Sequence, residues 1–148
     1  MKSKREIDVY SGDFDLIFDM AKEEMRNDYD WPLDDTSFYF LKAIIKNEFD
    51  YIEYDPDLDS FTLVEEDYYS SKINKVSLHR LKYYIEDMSL LDGLDNMLDI
   101  AENYNIVNIK SISVYHFMNR LVTVYNMALH FYGYFEDAFH EYYKKDER

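Results

Sequence analysis

Asp55, Asp57, Asp59 and Glu66 occupy the first, third, fifth and twelfth positions of a twelve-residue stretch, the spacing at which an EF-hand loop offers oxygen ligands to calcium. Tyr51 and Tyr54 precede them where an entering helix often carries aromatic residues. The context departs from that pattern. Ser60 stands where glycine permits the sharp turn, Thr62 replaces an aliphatic residue, and both flanks read as extended chain. An acidic hairpin turn is the preferred reading, with a calcium-binding regulatory domain on the 55–66 loop as an alternative. Glu136, Asp137 and His140 have the spacing of helical metal ligands, but a helical di-metal site draws such pairs from several helices, and His79, His116 and His130 lack comparable companions. A surface or capping pair is the expectation there.

Other chemistry is excluded more simply. The chain contains no cysteine, so thiolate zinc sites, disulfides and cysteine nucleophiles are absent together. It also has no glycine-rich phosphate loop, no G-x-S-x-G turn and no H-E-x-x-H pair. These absences point to a protein that is not an enzyme and needs no cofactor.

Charge is the most informative remaining feature. Between Glu6 and Asp67 there are twenty carboxylates and only four cations, Lys22, Arg26, Lys42 and Lys46, a net charge of −16. From Tyr68 to Arg148 nine cations face eleven carboxylates, a net charge of −2. Self-repulsion concentrated in one half costs stability and suits a chain that steers toward a cationic partner. The candidate partner-binding residues are Asp13, Asp15, Asp19, Asp28, Asp30, Asp34, Asp35, Asp50, Glu53, Asp55, Asp57 and Asp59, with Tyr51 and Tyr54 among them. Carboxylates accept bidentate arginine contacts, and tyrosine offers a rigid face on which a guanidinium stacks. Tyr29, Tyr39, Tyr68 and Tyr69 are further candidate anchors. The stripe Asp92, Asp95, Asp99 and Glu102 reads first as the wet side of an amphipathic helix and second as an extension of the anionic surface.

These residues need a scaffold, and the periodicity predicts one that is mainly α within an α+β fold. Five to six helices and a small β-hairpin near 50–65 are expected, in a single domain over 1–148 with an acidic half at 6–67 and a near-neutral half at 68–148. Ser11 caps a helix over Gly12 to Asn27 that buries Phe14, Ile17, Phe18, Ala21 and Met25. Asp30, Trp31 and Pro32 break it, and Asp35 or Thr36 caps a second helix through Phe38, Leu41, Ile44 and Ile45. Two strands follow around Asp55 to Asp59. Ser77 caps a helix with Leu78, Leu81, Tyr84 and Ile85, Ser89 to Tyr104 forms another, and Asn105 to Ile109 reads as a short strand or extended connection. Ser113 opens a central helix with Phe117, Leu121, Val124, Ala128 and Phe131, which Gly133 bends or ends before a last aromatic helix.

No stretch approaches 18 uninterrupted apolar residues, and the basic start is followed by Glu6 and Asp8, so neither a membrane span nor a signal peptide is expected. The segment from Ile17 to Met25, followed by the acidic run Asp28 to Asp35, resembles the first helix and acidic bend of the phage Ocr-type antirestriction proteins, a family of helical DNA mimics. The resemblance spans about 20 residues. It implies an inhibitor of antirestriction or anti-CRISPR type that binds a basic nucleic-acid-binding protein in the cytoplasm of a bacterial host. Such a protein would not itself bind nucleic acid. An immunity protein that neutralises a nuclease toxin shares this chemistry and is the alternative, and a homodimer is a further possibility.

Overall fold

In the computed structural model, residues 4–29, 33–67, 69–91, 93–106 and 112–144 are described. Asp30, Tyr68 and Asp92 lie outside them. Strand β1 (Arg5–Asp8) leads into α1 (Gly12–Asp28) and α2 (Asp35–Glu48). Strands β2 (Tyr51–Asp55), β3 (Ser60–Asp67) and β4 (Lys72–Ser77) follow, then a 3-10 turn (Leu78–Arg80), α3 (Leu81–Leu91), α4 (Gly93–Asn103) and α5 (Val114–Tyr143). The result is a mainly helical α+β domain.

α5 is the axis of the core. Its buried residues Phe117, Leu121, Val124, Met127, Ala128, Phe131, Phe135, Ala138 and Phe139 recur at helical spacing. α1 lies against it through Phe14–Phe135 and Phe18–Phe131, with ring centroids 6.0 and 4.8 Å apart. α2 adds Phe40 against Phe117. At the far end of α5, Phe139 packs edge-on against Phe61 of β3 and beside Tyr54 of β2, which fastens the sheet to the helices.

Local chemistry sets the helix starts. The Ser11 hydroxyl accepts from the Phe14 amide, and Ser113 accepts from the His116 amide, as their positions predict. α2 is capped by Asp34 instead of Asp35 or Thr36. Its carboxylate accepts from the Ser37 amide at 2.9 Å, which leaves Asp35 in the first turn where a negative charge favours the helix dipole. Ser77 makes no side-chain cap, and the chain enters α3 through the 3-10 turn.

Three expectations change. The helix expected over Ser89 to Tyr104 is divided, because Gly93 has φ +80°, a left-handed conformation that glycine alone adopts without strain. Ser89 belongs to the preceding helix and returns its hydroxyl to the Ile85 carbonyl. Asn105 and Ile106 do not begin a strand. Asn105 is left-handed, its amide bonds to the Glu102 carbonyl, and the Ile106 amide bonds to Ala101 at 2.9 Å, closing α4 as a Schellman motif. Residues 107–109 lie outside the described ones. Gly133 does not end the last helix. A single interior glycine costs about 1 kcal/mol, and the buried Phe131 and Phe135 on either side hold α5 continuous.

The hairpin is the centre of a larger sheet, four antiparallel strands in the order β1-β2-β3-β4. Ile7, Ile52, Leu63 and Val76 are aligned across it and face the helices. Side chains one residue out of phase with them point away from the core.

Candidate protein-binding surface

The outward face of the sheet is assembled by register. Glu6 pairs with Glu53, Asp8 with Tyr51, Tyr51 with Val64, and Glu66 with Ile73. Like charges directly opposite each other destabilise an antiparallel pair, so the Glu6–Glu53 juxtaposition works against the fold. Two cations soften it: the ammonium groups of Lys4 and Lys75 lie 3.7 and 3.9 Å from Glu53.

Glu6, Asp8, Tyr10, Asp50, Tyr51 and Glu66 line an open depression of about 340 Å³ at one end of this face. Its floor is held by backbone bonds through Asp50. The Asp50 amide donates to Val64, its carbonyl accepts from Val9, and its carboxylate accepts from the Glu66 amide at 2.7 Å. Asp8 is oriented by the Tyr10 amide at 2.7 Å, and the Tyr10 hydroxyl donates to the Lys46 carbonyl. Tyr51 donates to Glu66 at 3.0 Å. Burial first, then that bond and the charges of Glu66, Glu6 and Glu53, push the Tyr51 phenol up to about 12. A second depression at the end of β3 is lined by Glu65, Glu66, Asp67 and the fully exposed Tyr69, with Glu65 and Asp67 in phase with Leu63 and so on the opposite side of the strand from Glu66. Burial and the charge of Glu48 raise the Glu65 carboxyl above its ordinary value.

The hairpin tip is a separate place. Asp55 accepts from the Asp57 amide, Asp59 has φ +46°, and Asp59 receives both the Tyr54 hydroxyl at 2.9 Å and His140 Nε2 at 3.2 Å. Glu66 lies six residues along β3 from Ser60, on the order of 20 Å at about 3.3 Å per residue. It therefore does not converge with Asp55, Asp57 and Asp59, and the calcium spacing is that of a hairpin. No group of three or more His, Asp or Glu among the described residues is placed to hold a metal ion. His140 sits among Tyr54, Phe61 and Phe139.

The helical carboxylates are mostly engaged. Asp15 receives Lys42 at 2.8 Å and Lys46 at 3.2 Å, while Asp35 receives Arg26 at 2.7 Å and Lys22 at 3.6 Å. The four cations of the acidic stretch thus close on two aspartates, binding α1 to α2. Asp34 holds Arg120 of α5, Asp13 accepts from Tyr142, and Asp28 accepts from Tyr134. Asp19 is exposed on α1, as are Asp95, Asp99 and Glu102 on α4. Tyr29 is half-buried against Tyr134, and Tyr39 is half-exposed near Lys22.

Of the predicted residues, the sheet brings together Asp50, Tyr51 and Glu53, and adds Glu66 from the calcium set. It also recruits Glu6 and Asp8, which the charge count included without assigning them to a surface, and the turn after β1 adds Tyr10, which the sequence reading did not single out. The alternation Glu6-Ile7-Asp8-Val9, polar and apolar in turn, was the available signal. A scan against protein-family models matches none, and searches of curated proteins and of solved structures return no similar chain.

Proposed function

We propose that this chain is a non-enzymatic acidic inhibitor that occupies the basic nucleic-acid channel of a host defence nuclease, of antirestriction or anti-CRISPR type, acting in the bacterial cytosol. The contact surface is the outward face of the sheet. One observation carries the reading: Glu6, Asp8, Asp50, Glu53 and Glu66 surround Tyr51 on that face, and the cations of the acidic half are bound to Asp15 and Asp35 elsewhere. Neighbouring strands and alternate residues space such charges about 5 to 7 Å apart in two dimensions. That array offers a Lys- and Arg-rich channel a substitute for regularly spaced phosphates.

The protein itself repels nucleic acid at a net charge of −15. Its effect is therefore competitive. The test is capture of a nucleic-acid enzyme from a bacterial host at low and high salt, using the protein and a variant combining Glu6→Gln, Asp8→Asn, Glu53→Gln and Glu66→Gln. The reading expects a nuclease that elutes with salt, is released by duplex DNA and is lost by the variant. Capture unaffected by DNA and by the four substitutions contradicts it. A single secreted toxin as the captured protein would favour an immunity role.

A further inference from the structure

From Asn103 to Phe135 the sequence contains no Asp or Glu, although 31 such residues are spread over the rest of the chain. The first half of α5 lies in this stretch and leaves four large apolar side chains in solvent: Val114, Tyr115, Met118 and Val122, exposed by 65, 71, 51 and 50%. They fall within nine residues on adjoining positions of one helix face. Together they form an apolar patch on an otherwise charge-rich chain, and the largest apolar patch on a monomer is often functional.

We propose that this patch is the contact between two copies of the chain, formed by antiparallel pairing of α5 about a two-fold axis at Met118. Spacing and charge favour a second copy over another occupant. Val114 and Val122 each lie four residues from Met118, so a two-fold there places Met118 against itself and Val114 against Val122 of the other copy. The row Val114, Met118 and Val122 is symmetric about its own centre, which suits the self-complementarity of an isologous interface, and Tyr115 flanks it. Two molecules of net charge −15 repel each other strongly, and this carboxylate-free stretch lets them meet without opposing their acidic groups. Asp34, a carboxylate that reaches this part of the helix, is bound by Arg120. The outward sheet face, which belongs to β1–β4, stays free in such a pair.

Salt distinguishes this contact from the acidic one. Screening the mutual repulsion strengthens the dimer, whereas the same screening weakens attraction to a cationic partner. Because the chain has no cysteine, Met118→Cys introduces a single thiol at the proposed axis, and Leu58→Cys places one on the exposed hairpin tip as a control. The expected results are a weight-average mass that rises above 18.0 kDa with concentration, and rises further at high salt. Met118→Cys should form a disulfide dimer at least about tenfold faster than Leu58→Cys, since pairing raises its effective concentration. Val122→Asp should remain monomeric with an unchanged circular dichroism spectrum. A protein that stays monomeric at high concentration and high salt, with the two thiols oxidising at equal rates, overturns the proposal. A dimer that Val122→Asp leaves intact overturns it as well.

Discussion

Tyr51 donates its phenolic hydrogen to Oε1 of Glu66 at 3.0 Å, across the face of the sheet that points away from the helices. The phenol is raised to about 12 by burial first and then by Glu66 and the surrounding carboxylates. The fold thus favours neutral Tyr51. Its contribution is fully present below the ordinary tyrosine value of 10.0 and is lost as pH rises from there toward about 12. Ultraviolet or NMR titration should show Tyr51 among the last tyrosines to ionise. In Glu66→Gln its midpoint should move back toward 10.0. An unchanged midpoint would mean that Glu66 is not a source of the local negative potential.

The same face should show opposed effects on stability and binding. Glu6 lies directly across from Glu53, so Glu6→Gln removes a like-charge pair and should stabilise the fold by a few tenths to about 1 kcal/mol. It should also slow association with a basic partner and flatten its dependence on salt. Denaturant midpoints and stopped-flow association rates measure the two effects. Destabilisation by this substitution would show that Glu6 makes a contact the fold depends on.

Acid titration provides a third test, because the shifted carboxyls fall into two groups. Burial alone would raise Asp15, but Lys42 and Lys46 outweigh it and hold the group below 3.8. Asp34 is likewise lowered against burial by Arg120 and Ser37. These two stabilise the fold above 3.8, and their contribution is lost as pH falls through their lower folded values. Glu65 is raised by burial and then by Glu48, and Glu136 by burial and then by Asp59 and Asp137. The penalty for ionising these glutamates is relieved as pH falls toward the unfolded value of 4.5. Urea midpoints should therefore rise on mild acidification from neutral pH and fall once Asp15 and Asp34 protonate. A steady decline from neutral pH downward would contradict this balance.

Leu121 is 2% exposed at the centre of α5. Leu121→Ala should cost about 2 to 5 kcal/mol, the usual range for a buried leucine cavity. A loss in reversible denaturation below about 1 kcal/mol would place α5 at the periphery of the core.

The long helices were legible because their apolar residues recur at 3 and 4 with little interruption. Phe14, Ile17, Phe18, Ala21 and Met25 in α1 are all buried, as are Phe117, Leu121, Val124, Ala128 and Phe131 in α5. The outer strands were not. β1 has four residues, too few for the Glu6-Ile7-Asp8-Val9 alternation to stand out, and β4 reads Lys-Ile-Asn-Lys-Val-Ser with its first four exposed and no apolar alternation. Their identity comes from pairing with β2 and β3, which is non-local. The candidate surface shares that limit. Composition located the acidic half, but only strand register sets Glu6 beside Glu53 and Asp8 beside Tyr51, and only the fold shows the acidic half's four cations gathered on Asp15 and Asp35.

Hairpin and sheet charges should separate in binding experiments. Asp59 is engaged by Tyr54 and His140 at the tip, away from the depression lined by Glu6, Asp8, Asp50 and Glu66. Reversing Asp55, Asp57 and Asp59 to lysine should slow association with a basic partner less than reversing Glu6, Asp8 and Glu66. The opposite ranking would move the contact surface to the tip.

Order of addition tests the central claim most directly. With the captured nuclease in hand, the chain is added either before duplex DNA or after it, and cleavage is followed in both cases. Competition for one basic channel predicts strong inhibition when the chain is added first, weaker inhibition when DNA is already bound, and no mobility shift of DNA by the chain alone. Inhibition that strengthens on preloaded DNA, or direct binding of DNA by the isolated protein, would contradict it.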